Sequence, residues 1–126
     1  MNTLPPTEGD RNRSWFSAKL RFALLIADVG LQEYEDRVYI FAHSDAEGAF
    51  ARAVQIGKSH EHQYVSVEGR EVRWRLAAVL ALDPVYLDPG PLGELETYAE
   101  RVPAEVGSVP FDGDFRIGED GPGDAR

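Results

Sequence analysis

SDAEGAFARAVQIGKSHEHQY, residues 44–64, is the stretch around which the rest of the chain can be arranged. Ser44 suits an N-cap, and Glu47 stands three residues on, where its carboxylate reaches back to close a capping box. Ala46, Ala49, Phe50, Ala53, Ile56, Gly57 and His60 then recur at spacings of three and four, which places them on one stripe of a helix. Glu47, Ala51, Arg52, Gln55, Lys58 and His62 take the opposite arc, which should face water. Glycine inside a helix costs about 1 kcal/mol relative to alanine. The spacing therefore predicts one amphipathic helix with a weak point, an end or a bend, at Gly57.

Strands are expected on either side of it. Phe16, Ala18, Leu20, Phe22 and Leu24 alternate with Ser17, Lys19, Arg21 and Ala23, the period of a half-buried strand. Residues 28–36 carry Gly30 and the acids Glu33, Glu35 and Asp36, and read as a connection. A second strand follows at Arg37 to His43, with Val38, Ile40 and Ala42 on one side and Tyr39, Phe41 and His43 on the other. After the helix, Tyr64 to Val67 is a short strand, Glu68-Gly69-Arg70-Glu71 a turn, and Val72 to Leu82 the longest strand, a hairpin pattern. The expected fold class is α+β: an antiparallel sheet in ββαββ order with the one main helix on one face.

Composition bounds the function. The chain has 126 residues, enough for one domain, and its net charge is −9. Having no cysteine, it has no disulfide, no thiolate zinc site and no cysteine nucleophile. No apolar run is long enough to span a membrane, and the first residues lack the apolar core of a signal peptide, so the cytoplasm is the expected location and no membrane partner is expected.

Charge is unevenly placed. Residues 14–82 are nearly balanced, with eight Lys and Arg against nine acids, whereas residues 83–126 hold eleven acids against three arginines. Six of the eight prolines and seven of the twelve glycines also follow Leu82, a composition that disfavours regular structure. The expected organisation is thus a disordered segment 1–13, an α+β domain 14–87, and an acidic, partly ordered extension 88–126. Within the extension, Leu92, Leu95, Tyr98, Ala99 and Val102 have helical spacing behind Pro91, which predicts a short helix. A weak strand or hairpin about Asp112-Gly113 is expected over Val109 to Ile117, and a loose end from Gly118 to Arg126.

Trp15-Phe16-Ser17-Ala18-Lys19-Leu20, with Tyr64, Gly69 and Val72-Arg73-Trp74-Arg75-Leu76 further on, resembles the pattern of an uncharacterised bacterial family, DUF4288, which opens with W-[FY]-S-A-K-L and later carries V-x-W. The resemblance runs from Trp15 to about Leu87. The chain departs from the pattern at Ser66, where a polar residue, often asparagine, is usual, and at Ala77-Ala78, where a valine-glycine pair is usual. What the resemblance implies is a shared fold and a bacterial, intracellular origin, with no activity to carry over.

Chemistry is hard to find among the motifs. His60 and His62 diverge by about 200° on a helix and cannot share a metal there. If the helix ended at Gly57, an extended His60-Glu61-His62 with His43 would be needed for a zinc site, without any standard ligand spacing. Gly57-Lys58-Ser59 lacks the upstream glycine of a phosphate loop and reads as a helix terminus. Glu33, Glu35 and Asp36 read as solvated charges. No catalytic residue, metal or cofactor is expected. An enzyme whose site is assembled from distant residues stays open, being invisible to motif reading.

The second face of the sheet is the candidate binding site. With Phe16, Ala18, Leu20, Val38, Ile40, Val72, Trp74 and Leu76 toward the helix, Trp15, Lys19, Arg21, Tyr39, Phe41, Arg73 and Arg75 share the other side. Cations interleaved with aromatics can hold single-stranded nucleic acid, but the net charge of −9 opposes that. An exposed patch of this kind more often meets a protein, a second copy, or the chain's own acidic extension. The expectation is a non-catalytic protein-binding or regulatory module, a homodimer being one form. An immunity-type inhibitor that meets a basic surface is one such role. Nucleic-acid binding is the alternative.

Overall fold

The computed structural model describes residues 14–86 and 94–117. Its elements are β1 (Ser14–Ile26), β2 (Gly30–His43), α1 (Ala46–Ser59), β3 (His62–Val65), β4 (Glu71–Val85) and β5 (Glu94–Pro103). All pairings are antiparallel, in the spatial order β3-β4-β1-β2-β5. The fold is α+β with the ββαββ order, extended by one further strand. The segment 1–13 and the end beyond residue 117 lie outside the described residues, as do the prolines at 89 and 91.

β1 is the centre of the sheet because its alternation supplies an apolar side chain to the helix face at every second position. Phe16, Ala18, Leu20 and Phe22 are all buried there. With Tyr39 and Phe41 of β2, Ala49, Ala53 and Ile56 of α1, and Val72, Trp74, Leu76 and Val79 of β4, they form the main core. The Phe16 and Phe41 rings lie 6.2 Å apart, a pairing that adds about 0.5–1.5 kcal/mol beyond the area it removes from water.

The helix forms where the spacing places it, with two changes. Its N-cap is Asp45, whose Oδ1 accepts from the Gly48 amide at 2.6 Å, so the cap lies one residue beyond Ser44. It also runs through Gly57 to Ser59 instead of weakening there. A Cβ built on Gly57 would lie 2.7 Å from Leu76 Cδ2. The glycine lets α1 approach β4 closely, and that packing offsets its poor helix propensity.

β2 is longer than the expected 37–43. The stretch 30–36 is strand, joined to β1 by a turn in which Asp28 and Gly30 have φ of 75° and 85°. Its acids are matched by cations, two from other strands, Arg21 to Asp36 and Arg101 to Glu33, and one from β2 itself, Arg37 to Glu35. β3 is shifted two residues toward the helix, and the β3–β4 turn closes through Ser66 N to Arg70 O at 2.8 Å, with Gly69 at φ 85°.

Of the helix expected at 92–102, residues 92 and 93 lie outside the described residues and the rest is not helical. Residues 94–103 are β5, paired with β2 from Phe41↔Glu94 to Glu33↔Pro103. A single short helix is marginal in water. Pairing instead satisfies backbone groups along the β2 edge that would otherwise be left to solvent. The acidic extension thus contributes a strand to the sheet.

Candidate functional site

Register decides which side chains share a face. Phe16 faces Phe41 and Ala18 faces Tyr39 across β1 and β2, whereas Lys19 faces Val38, Ser17 faces Ile40 and Trp15 faces Ala42. Tyr39 and Phe41 are therefore core residues on the helix side, 1% and 0% exposed, and not part of the candidate face. The phase expected for β2 is reversed. Both of its sides are apolar, so alternation alone could not choose, and a shift of one residue moves every side chain across the sheet.

The other five predicted residues do share the face opposite the helix. Trp15, Lys19 and Arg21 lie along β1, while Arg75 and Arg73 of β4 stand opposite Ala23 and Leu25. They do not form one patch. Lys19 and Ala23 are four residues apart, about 13 Å along a strand, and between them lies an ion pair. Arg21 donates from Nε to Asp36 Oδ1 at 2.8 Å and from Nη2 to Asp36 Oδ2 at 3.0 Å. Arg21 also stacks over the Tyr34 ring at 4.8 Å. The hydrogen bonds to Asp36 hold the Arg21 guanidinium above its ordinary pKa against the opposing effect of burial.

This pair divides the face. On one side lie Trp15, Lys19, Val38, Ile40 and Ala42, all half-buried, with exposed Tyr98 of β5 opposite Val38. No helix or strand among the described residues packs over that half. On the other side, Ala23, Leu25 and Leu31 form a second core, covered by Val109, Phe111 and Phe115 of the segment that follows β5. Arg73 Nη1 donates to the Phe111 carbonyl at 2.6 Å, and Arg75 Nη1 lies 3.1 Å from Asp114 Oδ1. Arg75 Nε also donates to Glu61 Oε2, which accepts in addition from the Leu76 amide at 2.9 Å, beyond the point where β3 stops. Burial lowers the Arg75 pKa, but the hydrogen bonds and charge attraction to Glu61 and then Asp114 together outweigh it and raise the value.

Residues missed in the sequence gather on the helix side beside the end of α1. Arg37 lies over the Phe22 ring at 4.2 Å and donates to Glu35 Oε1 at 2.8 Å. The Tyr39 hydroxyl donates to Glu96 Oε1 at 3.4 Å, and its ring lies 5.2 Å from that of His60. Burial pushes the Tyr39 hydroxyl above its ordinary pKa, against the pull of Arg37. Their signal was indirect: an acid two residues before an arginine shares its strand face. The three histidines are dispersed, His43 at the end of β2, His60 capping α1 and His62 stacked on Tyr64 at 5.6 Å. Among the described residues no three potential metal ligands converge.

An antiparallel five-stranded sheet carrying one helix defines a small α+β domain. The family model for a domain of unknown function, DUF4288, matches residues 15–95, and the chain belongs to that family. The match extends past the motifs to the start of β5. No curated protein and no solved structure matches the chain. Among the described residues no helix is long and apolar enough to cross a membrane.

Proposed function

We propose that this chain is a non-catalytic protein-binding or regulatory module of the bacterial cytoplasm that recognises another protein through the uncovered half of the sheet face. The observation that carries this is the grouping of Trp15, Val38 and Ile40 around Lys19, beside exposed Tyr98, with no helix or strand among the described residues above them. Apolar patches of this sort on a domain face mark interaction sites. A net charge of −9 favours a partner with a basic rim, whose encounter is accelerated by complementary charge. An immunity-type inhibitor and a self-associating module both fit this description. Nucleic-acid binding is less well supported, since two of its stacking rings, Tyr39 and Phe41, lie in the core and Arg73 and Arg75 hold the chain's own tail.

The test is capture from host lysate at low and at high salt, with the wild-type chain and the Ile40→Asp variant, each checked by light scattering. One stoichiometric protein, or a second copy, lost on Ile40→Asp and weakened by salt is the expected result. Recovery of nucleic acid, or of a protein that Ile40→Asp retains unchanged, overturns it.

A further inference from the structure

The segment that covers the other half of the face has the character of a bound peptide. Residues 104–117 contain no helix or strand and none of them is buried, yet the Ala23, Leu25 and Leu31 side chains beneath them are 0% exposed. An integral element would bury its own side chains. This one lies on the surface and alternates between half-buried and exposed residues along Val109–Ile117, as an extended ligand does.

Besides the packing of Ala104, Val109, Phe111 and Phe115 on that surface and of Ile117 on the main core, its polar attachments are chemically selective. Two backbone bonds place it: the Leu31 amide donates to Val109 O and the Gly107 amide to Leu31 O, each at 2.8 Å. The close approach requires Gly30, where a Cβ would lie 2.3 Å from Val109 O. Arg73 then reads an aromatic, its guanidinium 5.5 Å from the centre of the Phe111 ring while it binds the Phe111 carbonyl. Arg75 reads an acid, Asp114, whose side chain is otherwise 82% exposed. Both arginines lie within the family-matched residues, whereas the segment they hold lies outside them.

We propose that Arg73, Arg75 and the Ala23–Leu25–Leu31 surface form a recognition site for an extended protein segment with an aromatic–acidic–aromatic pattern, occupied in cis by Phe111-Asp112-Gly113-Asp114-Phe115. A partner bearing such a segment binds by displacing the tail. The proposal rests on the protein-binding reading given above but concerns the opposite half of the face. Tethering sets the strength of the competition, because a short flexible linker gives an effective concentration on the order of 1 mM. Free peptide well below that level is excluded from the wild-type site.

The experiment uses the full chain and a fluorescein-labelled peptide of residues 104–117, followed by anisotropy. Phe111→Ala/Asp114→Ala, which weakens the tail's hold, is expected to bind the peptide saturably and at least tenfold more tightly than the wild type. Adding Arg73→Gln should reverse that gain. Equal binding by wild type and variant, equal binding of a scrambled peptide, or no binding by a folded variant overturns the proposal. Hydrogen exchange on the wild type decides the matter if the variant does not fold. The Leu31 and Gly107 amides should exchange at least a hundredfold faster than those of central β1, with little dependence on low denaturant. Exchange in step with β1 would show the tail to be part of the cooperative fold. The peptide titration needs no partner, so its failure leaves the uncovered half of the face untouched.

Discussion

Arg21 and Asp36 meet side-on across β1 and β2, Nε to Oδ1 at 2.8 Å and Nη2 to Oδ2 at 3.0 Å, and Asp36 is only 3% exposed. The carboxylate has been removed from water, and among the described residues its side-chain partner is the Arg21 guanidinium. Arg21→Met would strand it, at a cost of about 3 kcal/mol, the low end for breaking a buried pair. Arg21→Met/Asp36→Leu should recover most of that loss. Urea unfolding of the two single variants and the double variant checks this; a double variant as unstable as the sum of the singles would refute it.

Two helix glycines should respond oppositely to alanine. At Gly57 the new methyl would strike the branched end of buried Leu76, and overpacking of about 1–3 kcal/mol should outweigh the helix propensity gained. At Gly48 the three atoms nearest the new methyl all belong to the ring of His43, a partly exposed side chain that can rotate away. Gly48→Ala should therefore be neutral or stabilising by up to about 1 kcal/mol. Thermal unfolding distinguishes the two, and a stabilising Gly57→Ala would contradict the packing argument.

The helix cap offers a similar contrast. Asp45→Ala removes the acceptor of the Gly48 amide and should cost about 1 kcal/mol, whereas Ser44→Ala should change stability by only a few tenths. Equal losses from the two variants would move the cap back to Ser44.

Alkaline stability should depend on Tyr39. Its folded pKa is raised, chiefly by burial. The neutral hydroxyl is favoured in the fold, so its contribution is complete below the unfolded value of about 10 and is lost as pH rises above it. Between about pH 9 and about pH 11 the urea midpoint of Tyr39→Phe should fall less than that of the wild type. Parallel falls would remove Tyr39 as the cause.

Much of the fold was legible because it is written in local periods. Ala49, Ala53, Ile56 and Gly57 recur on one helical stripe, and all four are buried against the sheet. Phe16 to Phe22 alternate, and the Gly69 turn joins two strand patterns. The candidate site was less legible. Arg73 and Arg75 were placed on the correct face, but the segment that engages them is distant in the chain. Nothing near Asp36 announces Arg21 as its partner, so the acids of 33–36 resembled a loop.

The stripe in α1 had one physical solution, since only a helix gathers those apolar groups for burial. β2 had two, because Val38 and Ile40 are as willing to be buried as Tyr39 and Phe41, and pairing with β1 selected between them. β5 likewise had a helical spacing that local physics would accept. The open edge of β2 offered backbone hydrogen bonds along the whole segment, a preference expressed only once the sheet exists. Local chemistry therefore specified the elements α1, β1 and β4. The phase of β2, the strand at 94–103, and the covering of one half of the sheet face by residues 104–117 followed from contacts between residues far apart in the chain.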